Sequence, residues 1–219
     1  LPDNLHKGLD AFFVDLKVAR KEAFGRMVKG LQSPEYEGFV ARWKDFVTNR
    51  FCELAGARGE EPCREAATAL IRKRLVKVLQ AGAAINDESQ DCELHRLRIQ
   101  CKKLRYLLEF YRSLFSDTAM VSCIGQLKKL QDNLGTFNDL SVQQRMLEHY
   151  RNELGPGGKK NLHIAAALGG LITHLQSDQL TVRKKFAKTY GSFSSEEHIA
   201  LFTDMLDAPL KQLEKGETV

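Results

Sequence analysis

Apolar residues recur along most of this chain at intervals of three and four, the spacing of one face of an α-helix. Leu94, Leu97, Cys101, Leu104, Leu108 and Tyr111 form one such stripe, and Ile124, Leu127, Leu130 and Leu134 form another. The short apolar run from Ile164 to Leu168 carries alanines and helical spacing rather than alternation, so no strand is expected. Ser33-Pro34 followed by Glu35 and Glu37 reads as an N-cap, a first-turn proline and dipole-matched acids. Pro62 opens another run that closes near Gly82. Gly155-Pro156-Gly157-Gly158 is the clearest loop, short enough to be a helix connector, and Pro209 should kink or end a late helix. The pattern predicts helices over 3–30, 34–55, 62–81, 88–115, 119–135, 139–153, 159–176, 178–190 and 195–214. Gly135 is expected as a C′ residue, and Asn138 or Asp139 as the cap of the following helix. The expected fold is all-α, an antiparallel bundle of about eight or nine helices.

Composition narrows the class. The chain has 219 residues, 43% hydrophobic and 28% charged, which is globular rather than disordered. No run approaches the ~18 apolar residues of a membrane span. Five cysteines scattered from Cys52 to Cys123, with no Cys-x-x-Cys, argue against a disulfide scaffold, a zinc ribbon and a thioredoxin-type motif. No signal peptide follows Leu1, so the expected location is the cytoplasm. Against 28 acids stand 33 Lys and Arg, a net +5. That excess permits an anionic partner without demanding one, so the placement of the cations matters more than their sum.

Placement singles out residues 92–112. At 100° per residue, His95, Arg98, Lys102 and Arg105 fall within about 80° of one another, beside the apolar stripe. Neighbouring cations then stand about 5–6 Å apart and repel. A multivalent anion would remove that repulsion and use all the donors, arginine as a planar fork and lysine as a compact charge. Glu109, four residues beyond Arg105, can pair with it. Arg96 and Lys103 lie on another side of the helix. Taken alone, a charged helix face is more often simply solvated.

Leu94-His95-Arg96-Leu97-Arg98-Ile99, then Lys102-Lys103-Leu104-Arg105-Tyr106 and Glu109-Phe110, resembles the signature helix of the CHAD (conserved histidine α-helical domain) family. Leu127-Lys128-Lys129-Leu130-Gln131-Asp132-Asn133-Leu134-Gly135, then Asn138-Asp139, resembles that family's downstream segment. The resemblance covers roughly residues 1–215, which are taken as one helical domain with a tail at 216–219. It implies two related helical halves with a basic groove or channel between them. It also implies non-catalytic binding of inorganic polyphosphate, and association with polyphosphate granules. The earlier His-x-x-Arg helix usual in the family's first half is missing; His6 lacks the arginine pattern after it. The chain therefore reads as truncated or diverged in that half. An apolar groove left open there would favour homodimerisation or helix exchange.

Other basic clusters occur beside the signature row. Lys17 and Arg20 share a face, Arg72, Lys73, Arg74 and Lys77 crowd one helix, and Arg183, Lys184, Lys185 and Lys188 crowd another. Arg20, Arg74 and Lys128 are carried forward as secondary candidates for the polyphosphate site. The alternative reading is a nucleic-acid or other polyanion scaffold, for which no recognised motif and few free aromatics speak. An enzyme is not expected: there is no Glu-x-x-His pair, no phosphate-loop spacing and no nucleophile with a base. No cofactor, metal or membrane contact is expected.

Overall fold

Helix is the only regular element in the computed structural model of the chain, which describes residues 3–50, 59–155 and 158–208. The α-helices are α1 (Asp3–Leu31), α2 (Pro34–Asp45), α3 (Cys63–Ala83), α4 (Asp91–Phe110), α5 (Asp117–Glu153), α6 (Lys159–Phe193) and α7 (Glu196–Asp207). A π-helical turn, Phe46–Arg50, continues α2, and a 3-10 turn, Arg112–Leu114, follows α4. The expected start of α2 is present: Ser33 Oγ accepts from the Tyr36 N–H at 3.2 Å, with Pro34 in the first turn. The end expected for that helix at 55 and the kink expected at Pro209 lie outside the described residues; α7 ends at Asp207.

Seven α-helices among the described residues, rather than eight or nine, reflect two breaks that did not form. The expected helices 119–135 and 139–153 are one helix, α5, and 159–176 and 178–190 are one helix, α6. Gly135 is not a C′ residue, since no described glycine has a positive φ, and Asn138 and Asp139 cap nothing. A glycine inside a helix costs only about 1 kcal/mol. Leu130, Leu134 and Phe137 are all buried across the supposed break, and their burial outweighs that cost. Thr136 Oγ1 donates back to Asp132 O at 2.9 Å, and Thr181 Oγ1 to Ser177 O at 3.0 Å, so these hydroxyls are satisfied within a continuing helix rather than at a cap.

The chain divides into two compact units. One comprises residues 62–145 and 174–219. Its core joins Ile71, Leu75 and Val78 of α3, the α4 stripe, Leu127 to Phe137 of α5, Phe186 and Phe193 of α6, and Phe202, Met205 and Leu206 of α7. Burial pushes the Cys101 and Cys123 thiols up to about 12, so both behave as small apolar core groups. Polar ties fix the ends of these helices. Arg183 of α6 donates to the carbonyls of Asn86 (3.1 Å), Asp87 (3.0 Å) and Ser89, and stands 3.8 Å from Asp91. Asp91 accepts from Gln179 at 2.8 Å and Ser141 at 3.2 Å, which ties the first turn of α4 to α5 and α6. Arg72 pairs with Asp207, and Arg64 donates to Ala208 O, which pins α7 to α3.

The other unit comprises residues 1–61 and 146–173. Leu9 and Phe12 of α1 are buried, as are Leu147 of α5 and Ile164, Leu168 and Ile172 of α6. Tyr150 donates to Asp15 at 2.6 Å, and that bond holds the Tyr150 phenol up at about 12. α2 buries none of its residues, and Phe24, Met27, Phe39 and Trp43 are each more than half exposed.

Gly82 marks the tightest approach in the larger core. A Cβ there would lie 2.1 Å from the Tyr190 ring, whose hydroxyl donates to Leu79 O at 2.7 Å. Gly82→Ala should destabilise the fold by about 1–3 kcal/mol, because the ring must move and its hydrogen bond is strained, despite alanine's better helix propensity. Urea unfolding measures this; a more stable variant would show that the ring yields freely.

Candidate anion-binding groove

α4 is set in place by local and non-local means. The Gln90 N–H donates to Glu93 Oε2 at 2.9 Å, closing the start of the helix. Leu94, Leu97, Cys101, Leu104 and Leu108 are then buried as one stripe. With that stripe inward, Arg98, Lys102 and Arg105 emerge at its edge, half-buried. They form one wall of a groove of about 510 Å³, and Gln131, Asp132, Gly135, Thr136 and Asp139 of α5 form the other. The groove is therefore lined by three cations and two carboxylates, with Tyr106 at its edge.

Short-range contacts hold the cations in position. Arg105 Nε stands 3.4 Å from Glu109 Oε1, the expected pair, but without hydrogen-bond alignment. The Tyr106 ring lies 5.6 Å from the Arg105 guanidinium and 5.9 Å from Lys102 Nζ. Each such contact contributes about 0.5–1 kcal/mol at an exposed site. Tyr106 thus gathers two groove cations. Its four-residue spacing from Lys102 carries that signal in the sequence.

The other candidates are placed differently. His95 is exposed one turn before Arg98 and does not line the groove; its Nδ1–H donates to Asn138 Oδ1 at 2.6 Å. The Asn138 amide nitrogen meets Asp139 Oδ1 at 3.4 Å, which agrees with that orientation. His95 therefore couples α4 to α5. Lys128 is exposed on α5, one turn before Asp132 and outside the groove lining. Arg74 of α3 donates to Gln100 Oε1 at 2.6 Å. Arg20 belongs to the other unit, where it shares a shallow surface with Lys17, Lys21 and Phe24. Arg183, from the late basic cluster, is engaged with the 86–91 segment.

The sequence pattern gives Gln131, Asp132, Thr136 and Asp139 no place in the site. Gln131 is only 8% exposed, yet neither amide atom has a hydrogen-bond partner. Their common face became legible only once α5 was one helix. Among the described residues no group of three or more His, Cys, Asp or Glu side chains is close enough to hold a metal ion. No helix among them is long and apolar enough to cross a membrane.

A model of the CHAD domain matches residues 1–148, a span that includes both α4 and the α5 wall of the groove. The chain belongs to the CHAD family. No curated protein matches it.

Proposed function

We propose that this chain binds inorganic polyphosphate without catalysis, holding the phosphate chain along the α4 wall of the groove. The observation that carries this reading is the convergence of Arg98, Lys102 and Arg105 on one wall. Three neighbouring cations on a packed helix need little ordering to receive successive phosphates, and arginine's fork suits phosphate oxygens. Membership of the CHAD family supports the same ligand. His95, one turn before the row, continues it along α4, and Lys128 adds a charge from α5. Arg74 of the same unit and Arg20 of the other unit are secondary candidates for contact with the ligand.

In cells that store polyphosphate this mode of binding would bring the protein to cytoplasmic granules. The exposed apolar residues of α1 and α2 support self-association as a homodimer, which light scattering would report. Titration with long-chain polyphosphate at low and high salt tests the main reading. Affinity should fall steeply with salt, as counterion release requires. Absence of binding by the folded chain would overturn it.

A further inference from the structure

The two walls of the groove carry opposite charge. α4 presents Arg98, Lys102 and Arg105, and α5 presents Asp132 and Asp139. The two carboxylates are seven residues apart on one uninterrupted helix, so they rise about 10 Å along the same face. Among the described residues neither has an ion-pair partner; Asp139 accepts only the 3.4 Å contact from Asn138. An anion in the groove is therefore drawn to one wall and repelled by the other, within the roughly 8 Å over which physiological salt leaves charges unscreened.

The α5 side also carries unused hydrogen-bonding capacity. Gln131 lines the groove, is more than nine-tenths buried and has neither its amide oxygen nor its amide nitrogen partnered. Arg105 Nε beside α4 is likewise without an aligned acceptor. Folded chains rarely leave such groups idle. Both are closed off from solvent as the walls stand, so a ligand meets them only where it lies deep between the walls and these side chains turn toward it.

We infer that the α5 side of the groove selects ligand width: Asp132 and Asp139 turn away broad polyanions, and Gln131 hydrogen-bonds a phosphate chain lying in single file against α4. This inference rests on the polyphosphate reading. A duplex nucleic acid is too wide to follow one wall only, so its second strand would meet the carboxylates.

The test compares long-chain polyphosphate with a short DNA duplex at matched phosphate concentration. In Asp132→Asn/Asp139→Asn, duplex affinity should rise about tenfold, as expected for two repulsive contacts removed, and polyphosphate affinity by less than about threefold. Gln131→Leu should melt no lower than the wild type, because an unpartnered buried amide has been removed. Its polyphosphate affinity should nevertheless fall several-fold, with duplex affinity unchanged. Equal gains for both polyanions in the double variant, or no gain, would overturn the selection; unchanged polyphosphate affinity in Gln131→Leu would overturn the deep contact. Failure of the wild type to bind polyphosphate would instead overturn the functional reading, and this inference with it.

Discussion

Replacing Arg98, Lys102 and Arg105 together with alanine will weaken binding of long-chain polyphosphate at least about a hundredfold at low salt, with the helical signal intact. Each charge-assisted contact to a phosphate contributes on the order of 1 kcal/mol or more, and 1.4 kcal/mol is a factor of ten. Three lost contacts therefore span two decades or more. The salt dependence should flatten as well, because about three fewer counterions are released on binding. The fold should survive. All three side chains lie at the edge of the stripe rather than in it. The variant loses the Arg105–Glu109 pair and the two contacts with Tyr106. Exposed pairs of this kind contribute at most about 1 kcal/mol each. Relief of repulsion along the row and alanine's helix propensity offset part of that. Isothermal titration and circular dichroism decide the matter together: unchanged affinity in a folded triple variant would place the site elsewhere.

Leu104→Ala will cost about 2–5 kcal/mol of stability, the range for emptying a fully packed leucine site. Leu104 is completely buried and belongs to the core shared by α3, α4, α5, α6 and α7. It also sits between Lys102 and Arg105 in the chain, so its burial sets the rotation of α4 that turns those cations into the groove. No polar group is exposed by the change, and the missing methyl groups leave a cavity that the surrounding leucines fill only in part. Urea unfolding measures the loss as a lower midpoint at unchanged slope. A cost below about 1 kcal/mol would mean that the stripe is not held by the core.

Much of the groove's α4 wall was legible before any coordinates. Arg98, Lys102 and Arg105 lie within one helix, and helical geometry alone places residues three and four apart on one face. Glu109 was legible for the same reason, and its contact with Arg105 is present. The α5 wall was not. Gly135 and Asn138-Asp139 carry the local marks of a helix end and a new cap, and those marks point away from a shared face. Arg183 shows the converse limit. Its sequence neighbours suggest a cation free for an anion, but its partners lie more than 90 residues earlier in the chain.

The sequence by itself determined the all-helical class, the inward stripe of α4 and the row of cations beside it. It also carried the two motifs that the family match spans. These are consequences of local periodicity, and local periodicity is written in neighbouring residues. Tertiary structure decided that α5 runs unbroken, because burying Leu130, Leu134 and Phe137 in a common core outweighs one helical glycine. It decided that His95 is tied to Asn138 and that Arg74 is bonded to Gln100. It also set Asp132 and Asp139 opposite the cations and left Gln131 unpartnered beneath them. Each of those outcomes depends on which distant side chain arrives opposite, and only packing of the whole core settles that.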